Sequence, residues 1–390
     1  MTKRVLLKKG HDARLLAGHL WVFSNEIHSI EGSPVVGDVV DVRRIDGKFI
    51  GRGFYHPHSL ITVRLVTRID EEITPALFTQ RISSALSLRK KIYPASNTYR
   101  LVHGESDFLP GLIIDRFNKL FSIQTFSAGI DQWLDQIVKI LIGMLQPQAI
   151  VERNESALRT LEELPARAGM LYGAESSTTI DIDGIKYAID VLEGQKTGFY
   201  LDQRENRKSL RKYTEGSTVL DCFCNDGGFA LNAAAAGASN IEGVDSSDSA
   251  ITRARMNAET NGFSTRCTFH IDNVFEALRN FIDQGRSFGV VVLDPPSFTK
   301  SRKTVNTAKR GYAEINTNAM KILSQGGILA TSSCSHHITE ETFMDIIKES
   351  AVAAGRQIQL LEWHGAAPDH PVLPAMPETQ YLKFGIFRIL

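Results

Sequence analysis

An α/β architecture in three parts is what the residue pattern predicts: a compact β-barrel over 1–70, a small α+β domain over 71–180, and an open, mostly parallel sheet over 181–390. Three observations carry this. Short Val- and Ile-rich runs bounded by Gly, Asp or Pro fill the first part. Helical and strand-like spacings mix in the second. In the third, apolar strands alternate with helices, a pattern that specifies a parallel sheet with helices on both faces.

The elements follow in chain order. HLWVF at 19–23 offers aromatics for a barrel core. VVGDVVDVRR, GKFIGRGFY and SLITVRLV read as strands, and Asp46-Gly47 marks a hairpin between the first two. Residues 75–91 have helical spacing and a basic end, Arg89-Lys90-Lys91, that complements the helix dipole. GLIIDRFNKLFSIQTF gives two strands around Asn118-Lys119. A helix from about 131 to 145 and another from Ala157 come next. TTIDIDG and IKYAIDV form a hairpin around Asp183-Gly184. The strands of the third part are STVLDCF, NIEGVDS, RCTFHIDN, VVVLDPP and GGILATSSCS. Its helices fall around 227–237, 247–261, 273–284, 310–324 and 339–354. QLLEWHG and LKFGIFRIL supply a further strand pair, which brings the sheet to seven strands.

Composition bounds the function. The 390 residues carry 44 Lys+Arg against 44 Asp+Glu, and 43% are hydrophobic. A disordered chain and a supercharged nucleic-acid tail are excluded. The longest apolar stretch, 133–145, is interrupted by Asp135 and Lys139 and falls short of the about 20 residues a membrane span needs. The first 14 residues hold no apolar run that reads as a secretory signal. Cys222, Cys224, Cys267 and Cys334 are too few for a disulfide framework, so a cytoplasmic protein is expected. Cys222-x-Cys224 has no second pair, so no metal site is expected. Two basic clusters interrupt the neutral balance: Arg204, Arg207, Lys208, Arg211 and Lys212, then Lys300, Arg302, Lys303, Lys309 and Arg310. Each reads either as a solvated face or as a phosphate-binding edge.

The strand exits concentrate polar residues. The first strand ends at Asp221 and runs through Phe223, Asn225 and Asp226 into Gly227-Gly228, which open an Ala-rich helix. Glycines there let a ligand approach the backbone beside a helix N-terminus. The turn is not GxGxxG, and its acids would repel a pyrophosphate, which argues against a dinucleotide-dependent dehydrogenase. Acids suit a cofactor with an amine and a sulfonium, such as S-adenosylmethionine, whose product is S-adenosylhomocysteine. Asp245, followed by Ser246, ends the second strand where an acid accepts ribose hydroxyls. Asp272-Asn273 ends the third, where an acid or amide can meet an adenine edge, and Asp294-Pro295 ends the fourth. Each alone can be an ordinary strand-end turn; four in register make that reading a poor one.

Asp294-Pro295-Pro296-Ser297-Phe298 puts an acid and an aromatic on a rigid turn suited to gripping a planar base. The fifth strand ends in Cys334, followed by His336 and His337. Cys334 is either a small buried hydrophobe or a nucleophile. Carbon 5 of cytosine becomes nucleophilic only when a thiolate adds at carbon 6, with an acid such as Asp294 hydrogen-bonded to N3.

These residues carry a resemblance. With 192–207 (LEGQKTGFYLDQRENR), GHLWVFSNEI, GKFIGRGFY, GESDFLPGLIIDRF, DPPSF and SCSHH, the chain resembles the RlmI-type family of class I S-adenosylmethionine-dependent methyltransferases over essentially its whole length. That family makes 5-methylcytidine in large-subunit (23S) ribosomal RNA. The resemblance implies an N-terminal PUA β-barrel that binds RNA, a central α+β domain and a Rossmann-like methyltransferase domain. It implies Cys334 as nucleophile and Asp294 as its partner on the base. It implies that segment 195–204, with Gln195, Thr197, Phe199 and Arg204, helps close the cofactor pocket. Pro296, Phe298, Lys300, Arg302, Lys303 and Arg310 become the expected RNA contacts, ribosomal RNA the expected partner, and a homodimer is compatible. Two other functions stay open on the residues alone: methylation of an exocyclic amine through DPPSF, and a non-catalytic RNA-binding protein with a vestigial pocket.

Overall fold

The computed structural model describes residues 3–194, 197–299 and 301–390, with Arg302 described by its backbone alone. The chain forms two compact units. One comprises Met1–Ile180, Ile189–Leu201 and Pro368–Thr379; the other comprises Asp181–Ala188, Asp202–Ala367 and Gln380–Leu390. No helix among the described residues is long and apolar enough to cross a membrane.

The first unit contains a six-stranded sheet in the order Trp21–Phe23, Ile61–Thr67, Phe49–Tyr55, Val39–Arg44, Arg4–Leu7, Ile27–Glu31. The Asp46-Gly47 turn joins the antiparallel pair Val39–Arg44 and Phe49–Tyr55. Alternation sends Leu20 and Val22 into the core and leaves Trp21 and Phe23 half-buried, so these two aromatics do not fill the interior as expected. Trp21 instead donates its indole N–H to Glu105 at 2.9 Å, with the Arg64 guanidinium 5.3 Å from its ring centre.

A five-stranded sheet follows, ordered Arg167–Tyr172, Ala149–Asn154, Leu120–Thr125, Leu112–Phe117, Thr98–His103. Helix Pro75–Ile92 starts with Pro at its first position and with Thr74 accepting from the Leu77 N–H. The helix expected from 131 to 145 is two helices, Ala128–Gln132 and Leu134–Leu145, broken at Trp133, whose ring stacks on Phe78 at 4.7 Å. The helix expected from Ala157 is only a 3-10 segment, Ala157–Glu162. It stops at Glu163, whose φ of 54° is left-handed. Its last residue is held by Arg64 at 3.0 Å and Ser59 at 3.1 Å.

The second unit is built on one sheet of seven strands among the described residues. We label its elements β1 (Thr218–Cys222), α1 (Gly228–Ala235), β2 (Asn240–Asp245), α2 (Asp248–Thr260), β3 (Cys267–Ile271), α3 (Val274–Asp283), β4 (Phe288–Leu293), α4 (Val305–Lys321), β5 (Leu323–Ser333), α5 (Glu340–Ala354), β6 (Ile358–His364) and β7 (Lys383–Ile389). The strand order is β3-β2-β1-β4-β5-β7-β6. All neighbours through β5 are parallel, and β7 runs antiparallel to both β5 and β6. Leu220, Val291, Tyr312, Ile315, Leu329 and Phe343 anchor the core. Phe229 of α1 stacks on Phe384 of β7, rings 5.7 Å apart and 10° from parallel. The register matters for function. Cys222 lies opposite both Val244 and Leu293, Asp245 opposite Ile271, and Leu293 opposite Thr331. The exits of five adjacent strands therefore share one edge, the edge at which open α/β sheets bind ligands.

Candidate active site

The β1 exit is a tightly wound loop. Phe223, Asn225 and Gly227 take left-handed φ values of 62°, 46° and 79°. Gly228 is required by packing: a Cβ there would lie 2.5 Å from Nε of Arg207. One glycine thus serves backbone conformation and the next a close side-chain approach. Asp221, fully buried behind this loop, accepts from the Ala230 N–H at 2.8 Å. Its other oxygen has no hydrogen-bond partner among the described residues. Burial pushes its carboxyl up to about 8, against the pull of that N–H and with a further push from Asp294. Half-buried Asp245 accepts from the N–H of Asn225 (3.0 Å) and of Ser247 (2.9 Å). The Asn225 side-chain oxygen is a second buried atom of this loop without a partner among the described residues. Asp226 is committed to Arg253 at 2.7 Å.

The β3 exit divides. Asn273, exposed, caps α3 with its side-chain oxygen, which accepts from the Phe275 N–H at 2.9 Å. Asp272, half-buried, accepts from the Asn273 N–H. Ser246 is exposed.

At the β4 exit, one oxygen of half-buried Asp294 receives two donors: the Ser332 hydroxyl at 2.5 Å and the Gln203 amide at 2.8 Å. Burial nonetheless raises its carboxyl above the usual range, with Ser332 opposing. Pro295 is buried and Pro296 exposed. The Phe298 ring belongs to an aromatic group with Tyr312 (4.7 Å), Phe275 (5.9 Å) and Phe223 (6.3 Å). Sγ of Cys334 lies 3.9 Å from the Pro295 carbonyl, which brings the β5 and β4 exits together. Cys334 is half-buried, whereas Cys222, Cys224 and Cys267 are buried. Burial drives the Cys222 and Cys224 thiols well up and that of Cys267 to about 11, so none of these three is a ready thiolate.

The remaining expected residues fall elsewhere. Gln195 and Lys300 lie outside the described residues, as does the side chain of Arg302. Thr197 and Phe199 are buried in the first unit, where Thr197 donates to Asp115. Arg204 forks onto Asp183 with two contacts of 3.1 Å. In the first basic cluster Arg204 and Arg207 are buried and Arg211 is half-buried, whereas Lys208 and Lys212 are exposed. Arg207 sits over the Phe229 ring, Arg211 donates to Asn232 and to the Asp183 carbonyl, and Lys212 pairs with Glu362. In the second cluster Lys303, Lys309 and Arg310 are exposed, the latter two on α4. Three neighbours were not singled out in the sequence: Gln203, Ser332 and Lys383. Gln203 sits inside the 192–207 motif, and Ser332 two residues before Cys334. Lys383 arrives only through the pairing of β7 with β5.

The acceptor set fits S-adenosylmethionine. Two buried oxygens without partners among the described residues and the partly solvated Asp245 carboxylate answer to a ligand that donates hydrogen bonds and carries positive charge.

Comparison with known proteins agrees. Residues 5–68 match a PUA-like domain, and residues 158–384 match the S-adenosylmethionine-dependent methyltransferase family. The chain is 42% identical over 395 residues to "Ribosomal RNA large subunit methyltransferase I" of Shewanella amazonensis, and 40% identical over 397 residues to the Vibrio campbellii protein of that name. Each comparison covers 100% of both chains. Among solved structures, a SAM-dependent methyltransferase from Streptococcus mutans superposes with a TM-score of 0.85, and a methyltransferase complexed with SAH with 0.87. Both are 20% identical and covered completely, a likeness of fold. With a family match over more than half its length and relatives similar from end to end, the chain belongs to the S-adenosylmethionine-dependent methyltransferases, in the family of the ribosomal RNA large subunit methyltransferases I.

Proposed function

We propose that this enzyme forms 5-methylcytidine in large-subunit ribosomal RNA, in the cytoplasm, through a covalent adduct between Cys334 and carbon 6 of the base. The observation that carries this reading is the juxtaposition at one sheet edge of an accessible thiol, Cys334, and a carboxyl with raised proton affinity, Asp294. The names of the full-length relatives support the RNA substrate.

The chain's residues divide the work. The Cys334 thiolate adds to carbon 6 while protonated Asp294 hydrogen-bonds N3, so charge developing on the ring is met by a proton. S-adenosylmethionine, when bound, supplies an electrophilic methyl group to carbon 5. A base then removes the carbon 5 proton and the thiolate leaves, which restores the aromatic ring. Asp221, Asn225, Gly227, Gly228 and Asp245 would hold the cofactor, with Phe223, Ser246, Asp272 and Pro295 beside them. Gln203 and Ser332 orient Asp294 through its other oxygen. Arg204, held by Asp183, would border the pocket. Pro296 and Phe298 would face the base, and Lys303 and Arg310 its phosphates. The target must leave its stack, at a cost of a few kcal/mol. In the division proposed, 1–70 grips RNA, 71–180 is a central α+β domain, and 181–390 performs the transfer.

The test is transfer of a labelled methyl group from S-adenosylmethionine to large-subunit RNA that lacks its modifications, with nucleosides identified by mass spectrometry. Wild type is expected to give 5-methylcytidine and Cys334→Ala none. Methyl transfer retained by Cys334→Ala would point to an exocyclic amine instead. S-adenosylmethionine binding with no transfer to any RNA would move the search to other acceptors.

A further inference from the structure

Lys383 is an unusual residue to find buried at a strand end. It opens β7 and lies directly opposite Ser333 of β5, one residue before Cys334. It is 3% exposed. Its ammonium nitrogen donates to the Ser335 carbonyl and to the Tyr381 carbonyl, both at 2.8 Å. No carboxylate stands within ion-pair distance of it among the described residues. A lysine buried this deeply is normally paired, because desolvating a charge is costly. Here two main-chain oxygens clamp it, and one of them belongs to the residue that follows Cys334.

From this geometry we infer that Lys383 is a positioning residue for the methyl-transfer reaction: its clamped ammonium favours the thiolate form of Cys334. Other titratable groups surround the pair. Cys334 at the β5 exit and Glu340 of α5 act on the lysine by charge, and burial draws its amine down to about 8. Burial, with a smaller push from Cys334, raises Tyr312 of α4 to about 12, and its hydroxyl shares a hydrogen bond with that of Ser335 at 2.9 Å. Tyr381 is tied to Asp202 at 2.7 Å, and the His336 ring lies 5.6 Å from it. Asp294, whose proton affinity is raised by burial, ends the neighbouring strand. The clamped Lys383 ammonium stands beside the strand exit that carries Cys334. Beside it, the thiol loses its proton more readily, and the thiolate is a better leaving group at the end of the cycle.

The inference deepens the proposed function and rests on Cys334 being the nucleophile. Its test reads the thiol directly, without RNA, so a wrong substrate leaves the result untouched. The rate of Cys334 alkylation by iodoacetamide is followed against pH by peptide mass spectrometry, with Cys334→Ala as the blank. In the wild type the midpoint is expected at least one unit below the free-cysteine value of about 8.5. Lys383→Met, close in length and uncharged, is expected to raise the midpoint by one unit or more and to slow alkylation at pH 7 about tenfold. Lys383→Arg is expected to keep most of the wild-type midpoint. Circular dichroism and S-adenosylmethionine binding check that the variants fold. A folded Lys383→Met with the wild-type midpoint would overturn the inference. So would a wild-type midpoint at or above 8.5, which decides the matter even if the variants do not fold.

Discussion

Buried charge is handled in opposite ways in two regions of the molecule. In the first unit it is paired and locked. Fully buried Arg89 forks onto Asp107 at 2.6 and 2.7 Å, and its remaining donors reach the carbonyls of Arg100 and Asp369. Arg100 does the same with Asp115, both contacts 2.8 Å. At the strand-exit edge of the second unit, Asp221, Asp294 and Lys383 have no partner of opposite charge within ion-pair distance among the described residues. The first arrangement satisfies every group within the fold. The second leaves ionisable groups without a charge partner in the fold, poised to meet what binds or reacts there. A paired buried charge thus marks structure, and an unpaired one marks function.

Removing one partner of a locked pair gives the sharpest contrast in stability. Arg89→Met strands Asp107 and is expected to lower unfolding free energy by about 3–5 kcal/mol, measured by urea denaturation. A loss below about 1 kcal/mol would break the comparison. Asp294→Asn keeps an acceptor for Ser332 and Gln203 but has no proton to give. It is expected to cost a hundredfold or more in methyl transfer, with stability changed by less than about 1 kcal/mol. If stability falls as far as in Arg89→Met, Asp294 belongs with the structural pairs.

The pH dependence sharpens the contrast at Asp221. Its folded carboxyl, at about 8, keeps its proton at pH values where the unfolded chain, near 3.9, has lost it. The native state then binds more protons, so stability is full below about pH 4 and declines as pH rises towards 8. Between pH 6 and 8 the ligand-free protein is expected to lose about 2 kcal/mol. Asp221→Asn is expected to flatten that slope, which denaturation at the two pH values would show. Finally, Lys348→Ala removes an exposed pair with Asp345 and is expected to change stability by less than about 0.5 kcal/mol. A larger effect would mean that exposure is not what separates costly pairs from cheap ones.

Much of this contrast was legible in the residues. Alternation of apolar strands and helices carried the sheet of the second unit, because a strand buried on both faces must be apolar throughout. The exits at Asp221, Asp245, Asp294 and Cys334 followed from it, since each acid or thiol ends such a strand. What local pattern could not supply was partnership across distance. Arg204 and Arg211 read as a basic patch because the hairpin turn at Asp183 that holds them is remote in sequence. Helical spacing after Ala157 did not reveal that Glu162 is drawn to Ser59 and Arg64, about a hundred residues earlier. Lys383 carried no motif at all, for its meaning lies in the strand opposite.

The position of β7 has a consequence for how the molecule assembles. This strand follows β6 in the chain yet inserts between β5 and β6. The sheet therefore cannot grow by adding each strand as it is made. Until Lys383–Ile389 docks, β6 has no neighbour and β5 presents a bare hydrogen-bonding edge, a template for pairing with other chains. Closure depends on a long-range, late-forming contact, the kind that slows folding. The strand that delivers the lysine to the thiol is also the one that seals the sheet, so a nascent chain would acquire its reactive centre only when its most exposed edge disappears.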